Sequence, residues 1–132
     1  APPDVVDRVA ALCREVSFKG AGVPDRTSSI ECRIVQDADR LDAIGALGIA
    51  RTFAYGGARS RSLHEPEVKP VLHRSFAAYK RSQGPTINHF HEKLLLIKGR
   101  LHTREARRLA WSRHAFMLEY LRRFHREWDG RA

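Results

Sequence analysis

The sequence has few of the features that mark secreted, membrane-spanning or disulfide-rich proteins. Only two of its 132 residues are cysteine, Cys13 and Cys32. Both lie among apolar neighbours on predicted helices, and we interpret them as small core residues rather than a disulfide or metal pair. No apolar run approaches the roughly 20 residues that cross a bilayer, and no charged-then-apolar leader opens the chain. We therefore expect a cytoplasmic protein without a membrane partner.

Several structural and catalytic patterns are also missing. No segment alternates apolar and polar residues with the period of two that predicts a strand, and no internal repeat is visible. The pair Gly56-Gly57 lacks the lysine and the helix context of a phosphate-binding loop, and no serine or cysteine nucleophile arrangement stands out. These absences favour an all-α chain forming a single domain over residues 1–132.

Positive charge dominates what is present. The formal net charge is +9, from 24 Lys and Arg against 15 Asp and Glu. Such a balance favours anionic partners, among them nucleotides, phosphate esters and nucleic acid. The arginines of the last predicted helix are interrupted by Glu105, Glu119 and Glu127 rather than forming one basic face, which argues against nucleic acid.

Helical spacing predicts where the chain folds. A first helix follows an N-cap at Asp4, and a second begins near Ser29 after a capping box from Ser28 to Glu31. The second helix is expected to run on without a break, on one stripe made by Ile34, Ala38, Leu41, Gly45, Gly48 and Thr52. A long connection follows, broken by a short helix over residues 72–81. Thr86 and Thr103 are expected to cap two further helices, the last of which ends before Gly130.

The second helix carries four charges within residues 37–42, at positions expected at or near the interior. Burying a carboxylate is costly unless it is paired or binds a metal. Asp39 and Asp42 lie on neighbouring turns, whereas Asp37 and Asp39 point apart. Two interpretations stay open from spacing alone: a metal carboxylate among supporting neighbours, or a buried salt-bridge network around Arg40.

Three segments resemble bacterial HD-domain metal-dependent phosphohydrolases. They are QDADRLDAIGALGIARTFAYGGARSR (36–61), TINHFHEKLLLIKGRL (86–101) and TREARRLAWSRHAFMLEYLRRFHREWDG (103–130), and VSFKG (16–20) is similar as well. The resemblance is to the small HD hydrolase subgroup that is similar to nucleoside-triphosphate pyrophosphatases. The family signature is a His, a His-Asp pair and a distant Asp around a divalent metal on a helical bundle. ADRL (38–41) matches the distant Asp.

The resemblance implies an HD-domain-like helical bundle that hydrolyses nucleotides or related phosphate esters with a divalent ion: Mn, Mg, Ni, Fe or Zn. Asp39 would be the catalytic metal ligand. Arg40 could clamp a phosphate, or it could pair with Asp37 or Asp42. Other basic residues in the matching segments could surround an anionic substrate: Lys19, Arg51, Arg59, Arg61, Lys93 and Lys98.

The chain departs from the family pattern in one important respect. No His-Asp dipeptide occurs in the 132 residues. We expect the first His and the His-Asp pair to lie upstream of Ala1, so that this chain lacks N-terminal helices, and whether it is active alone stays open. Val16 stands where some relatives place a His, which favours a single metal ion. A homo-oligomer stays open, and the alternative function is a non-catalytic basic helical module that binds nucleic acid or a protein partner.

Overall fold

The computed structural model describes residues 2–131, and within that range every regular secondary-structure element is a helix. Six α-helices and one 3-10 helix follow one another: α1 Pro3–Val16, α2 Ile30–Asp42, α3 Gly45–Ala58, α4 Phe76–Arg81, α5 Asn88–Glu92, the 3-10 helix Leu94–Arg100, and α6 Arg104–Trp128. The all-α prediction is confirmed. None of the helices in this range is both long and apolar enough to cross a bilayer.

The core lies where α3, α5, the 3-10 helix and α6 meet. Phe90 and Ile97 are completely buried there, and Met117 of α6 packs against the same cluster. The ring of Phe90 stacks on Tyr120 with centroids 5.9 Å apart. Apolar burial at this junction is the main stabilising contribution to the fold.

The first helix differs from its prediction. It begins at Pro3, so Asp4 lies in the first turn rather than at the N-cap. A proline suits that position because its missing N–H would have no partner in the helix anyway. No side chain of α1 is buried, and Cys13 is exposed, which corrects its interpretation as a core residue, whereas Cys32 is buried as predicted.

The predicted second helix is two helices. The chain leaves α2 at Asp42 and re-enters a helix at Gly45, whose φ of +80° lies in the left-handed region. Between them Ile44 adopts an extended conformation and is 1% exposed. Glycine tolerates this φ at no steric cost, so the chain turns here and inserts Ile44 into the core. The prediction of one continuous helix with a single stripe from Ile34 to Thr52 was therefore wrong. The N-cap of α2 is Ser29, whose hydroxyl accepts from Cys32 N at 3.2 Å.

The helices after residue 75 are partly as predicted. Ser75 caps the short α4, and Thr103 caps α6 by accepting from Ala106 N at 3.2 Å. Thr86 does not cap a helix. Its hydroxyl donates to the Ser62 carbonyl at 3.0 Å, and α5 begins two residues later. Gly130 follows α6 with φ +68°, as expected for a helix stop.

Candidate functional site

The charged run of α2 divides between the interior and the surface. Asp37 and Arg40 are buried, whereas Asp39 and Asp42 are exposed. Asp37 accepts hydrogen bonds from the backbone N–H groups of His102 and Thr103, at 2.8 Å each. Its carboxylate therefore holds the turn that leads into α6, and carboxylates accepting two backbone N–H bonds are well stabilised even when buried.

Arg40 is buried and makes contacts that stabilise the fold. Its side chain is 2% exposed, Nη2 lies 2.7 Å from Asp25 Oδ1, and Nη1 donates to the Arg100 carbonyl. Arg100 in turn donates to carbonyls of the loop after α1, at 3.2 Å for Gly20. The acidic partner is thus Asp25, not Asp37 or Asp42. Because the guanidinium is enclosed by these contacts, we leave Arg40 out of the candidate site.

Asp39 is exposed on α2. It is close enough to Lys93, which directly follows α5, for its charge to act on that ammonium group. Burial lowers the pKa of Lys93, and the Asp39 carboxylate opposes that shift. Arg51 and Arg40 add positive potential at the same place and push the Lys93 pKa down further. The edge of α2 therefore carries an accessible carboxylate beside several cations.

A cavity of about 370 Å³ opens beside this edge. It lies between α3, the α4 segment and α5. Four basic side chains are among its lining residues, and they are accompanied by aromatic and small polar groups: Arg51, Arg61, Lys80, Lys93, Tyr55, Tyr79, His89, Thr86, Ser82 and Glu92. A concave site of this size with convergent polar groups suits a small anionic molecule.

Two ring side chains in the cavity are uncharged at neutral pH. Burial lowers the pKa of His89 to about 4, and the neighbouring cations Lys93 and Arg61 lower it too. Burial, followed by the charge of Glu92, raises the pKa of Tyr79 to about 12. The two rings stack with centroids 6.2 Å apart and planes 24° from parallel. The cavity thus combines charged cations with a neutral aromatic wall.

Only some of the basic residues expected from the sequence come together here. Arg51, Arg61 and Lys93 line the cavity, and Arg51 also pairs with Asp42. Arg59 is not among the lining residues; its Cζ lies 5.2 Å from the centroid of the Tyr55 ring. Lys98 instead lies over the ring of Trp111, with Nζ 3.8 Å from the centroid, and Lys19 borders a smaller pocket next to the loop after α1. Neither Lys98 nor Lys19 lines the cavity, so Arg51, Arg61 and Lys93 are the members of that set retained below.

Within residues 2–131, no group of three or more His, Cys, Asp or Glu side chains is placed to hold a metal ion. Asp39 is a single oxygen donor, and a stable divalent site needs several ligands. The residues described here therefore do not fit a complete metal shell by themselves.

Sequence reasoning missed the aromatic half of the cavity. Tyr55, Tyr79 and His89 come from three segments that the sequence does not relate to one another. One local signal existed: His89 precedes Lys93 by four residues, the spacing that places side chains on one face of a helix.

The fold has clear structural relatives. A protein from Lactobacillus plantarum superimposes with a TM-score of 0.90 at 37% identity, covering 96% of this chain and 60% of the relative. An HD-superfamily hydrolase from Bacillus thuringiensis has a TM-score of 0.63 at 46% identity, covering 76% of this chain and 47% of that one. The fold is an HD-domain-like helical bundle.

A relative from Bacillus subtilis extends the comparison. YpgQ, an uncharacterized protein, is 40% identical over 125 residues, which is 94% of this chain and 53% of YpgQ. A crystal structure of YpgQ in complex with ADP has a TM-score of 0.69 to this chain at 35% identity, covering 96% of this chain and 56% of that one. No protein-family model matches the sequence. The chain spans about half the length of the relatives it matches.

Proposed function

We propose that this chain carries the substrate-binding part of an HD-type phosphohydrolase that acts on nucleotides or related phosphate esters. The observation that supports the proposal is the cavity lined by Arg51 and Lys93, together with the charge of the exposed Asp39 carboxylate acting on Lys93. Similarity to an HD-superfamily hydrolase supports the reaction class, and the ADP complex of YpgQ supports a nucleotide ligand.

The roles of the residues follow from their charge and position. Arg51 and Lys93 would bind phosphate oxygens and stabilise negative charge on them. Asp39, exposed at the same edge, would contribute one oxygen ligand to a divalent ion. Since residues 2–131 supply no complete shell, the other ligands would have to come from outside this part of the chain. We attribute no reaction step to a metal held by the described residues alone.

The outer face of α6 favours this proposal over a nucleic-acid-binding module. Its arginines pair with glutamates of the same helix: Arg108 with Glu105 at 2.6 Å and Arg122 with Glu119 at 2.7 Å. These paired side chains are more than half exposed, as expected for a solvated face. A continuous row of free cations, which phosphate backbones require, is not formed by these pairs.

The test is turnover by the complete gene product, including whatever sequence flanks residues 1–132. Release of phosphate or pyrophosphate from a panel of nucleotides is measured with manganese, for the unchanged protein and for Asp39→Ala. The matched control is Glu31→Ala, which removes another exposed carboxylate from α2. We expect Asp39→Ala to lower kcat by at least 100-fold, a loss typical for a reacting-site charge, and Glu31→Ala to leave it unchanged.

Two outcomes would contradict the proposal. A folded protein that turns over no phosphate ester with any divalent ion would favour the non-catalytic module instead. Equal activity in Asp39→Ala and Glu31→Ala would remove Asp39 from the site, even if hydrolysis itself were observed.

A further inference from the structure

The cavity has two chemically different ends. Interactions among its residues give their order: the Asp39 charge acts on Lys93, and Lys93 and Arg61 both act on His89. Arg61 also lies over the ring of Tyr55, with Cζ 5.6 Å from the centroid. We call Arg51 and Lys93 the basic end, because Lys93 is within reach of the charges of both Arg51 and Asp39. We call Tyr55, Arg61, Tyr79 and His89 the aromatic end.

The basic end matches a phosphate group, but the aromatic end does not. Tyr79 stacks on His89, and both rings are neutral near pH 7, so neither attracts an anion by charge. Flat neutral rings favour a flat ligand group, because stacking on an aromatic side chain stabilises any nucleobase through its π-face. A bare phosphate or pyrophosphate could pair with Arg61, but it would leave both rings without a stacking partner.

Arg61 adds a hydrogen-bonding group at the edge of the rings. Its Nη2 donates to the Ser82 carbonyl at 2.6 Å, which fixes the guanidinium between the α4 segment and Tyr55. A guanidinium has five N–H donors in a rigid plane, so it can donate to the acceptor edge of a base while keeping the Ser82 bond. Arginine commonly recognises base acceptors in this way.

The α4 segment is held over the cavity by these same side chains. Tyr79 packs on Phe18 from the other direction, edge to face at 5.6 Å, and Thr86 closes the floor beside Gly56. The ring of Tyr79 is therefore fixed in place before a ligand arrives, which lowers the entropy lost on binding.

We propose that the aromatic end, formed by Tyr55, Arg61, Tyr79 and His89, is a nucleobase subsite, so that a nucleotide binds with its base there and its phosphates on Arg51 and Lys93. This inference rests on the proposed function for the orientation of the phosphates toward Asp39. It goes beyond that function by assigning the base-binding residues and by predicting that nucleotides are preferred over phosphates that lack a base.

Binding in the absence of divalent metal tests the inference separately from catalysis. Isothermal titration calorimetry of the complete gene product compares ADP, ribose 5-phosphate and pyrophosphate in a buffer with chelator. We expect ADP to bind on the order of 10-fold more tightly than either of the others, since stacking one base contributes roughly 1–3 kcal/mol and 1.4 kcal/mol is tenfold in affinity.

Variants locate the effect. Tyr79→Leu and Arg61→Gln should each weaken ADP binding about 10-fold and leave pyrophosphate binding within about twofold, as expected for the loss of one stacking or hydrogen-bonding partner. Tyr79→Phe should restore most of the ADP affinity because it keeps the ring. Arg108→Gln is the matched control, since Arg108 pairs with Glu105 on the exposed face of α6, and it should not change either affinity.

Equal affinity for ADP, ribose 5-phosphate and pyrophosphate in the unchanged protein would overturn the inference. So would variants that weaken pyrophosphate as much as ADP. If Tyr79→Leu does not fold, the ligand comparison and Arg61→Gln decide the question alone. The two proposals fail in different assays. Hydrolysis of phosphate esters, with no tighter binding of ligands that carry a base, would contradict the subsite and support the proposed function. Tighter binding of ADP without any turnover would support the subsite and contradict the proposed function.

Discussion

Replacing Asp37 should lower the urea concentration at which the protein unfolds, because two buried hydrogen bonds depend on its carboxylate. Asp37 is 3% exposed and accepts from His102 N and Thr103 N, both at 2.8 Å. Hydrogen bonds to charged groups contribute about 1.5–3 kcal/mol each, and an N–H left buried without a partner costs as much. Asp37→Ala should therefore lower the free energy of unfolding by about 3–5 kcal/mol, a large fraction of the roughly 5–15 kcal/mol typical of a domain.

The assay is urea unfolding followed by circular dichroism at pH 7, with chelator present so that no metal contributes. Asp42→Ala is the matched control on the same helix. Its carboxylate is 61% exposed and pairs with an exposed Arg51, so the loss should be at most about 1 kcal/mol. Asp37→Asn keeps one acceptor oxygen and should lie between the two, which provides a measurable variant if Asp37→Ala does not fold. Similar midpoints for Asp37→Ala and Asp42→Ala would refute the reasoning.

Two further predictions use the walls of the cavity. Gly56→Ala should destabilise the protein by about 1–3 kcal/mol because the added Cβ would overlap the buried Thr86 hydroxyl. The control is Gly57→Ala, whose Cβ would meet nothing within 4 Å and which should be neutral or stabilising by up to about 1 kcal/mol. Equal urea midpoints for the two variants would contradict this prediction. His89 should titrate near pH 4 by NMR. Because unfolded histidine titrates near 6.5, the unfolded chain binds more protons between these values, so stability should fall by on the order of 3 kcal/mol as the pH drops from 6.5 to 4. His89→Gln should remove that dependence, and an unchanged slope would show that another group causes it.

Local signals in the sequence predicted part of the fold. The cap at Thr103 and the stop at Gly130 depend on residues within one turn of the helix end, and both are confirmed. The break between α2 and α3 could not be predicted from periodicity, because the apolar spacing continues through it. It depends on the core accepting Ile44 and on the φ of +80° at Gly45. Likewise, an apolar stripe on α1 predicts burial, but Val5 and Val9 are 40% and 51% exposed.

The candidate site was harder to predict because it depends on contacts between segments that are far apart in the sequence. The sequence correctly marked α2 as unusual, yet it could not say which charges point inward, since the partner of Arg40 is Asp25 on a separate loop. Arg51 and Lys93 could be proposed from a family resemblance, but their meeting with Tyr79 depends on how a long connection folds back. Contacts between distant segments carry no signature in spacing.

The contacts of Arg100 have a consequence for how the chain folds during synthesis. Its guanidinium donates to carbonyls of Gly20, Ala21 and Val23, which precede it by 80, 79 and 77 residues. At about 5–20 residues per second, a ribosome needs roughly 4–16 s to reach Arg100 after making that loop. During this interval α1 and the loop leave the exit tunnel without the side chain that later fixes them. The loop after α1 is therefore open to chaperones and proteases for that interval, and we expect it to acquire amide-exchange protection only after Arg100 has been made.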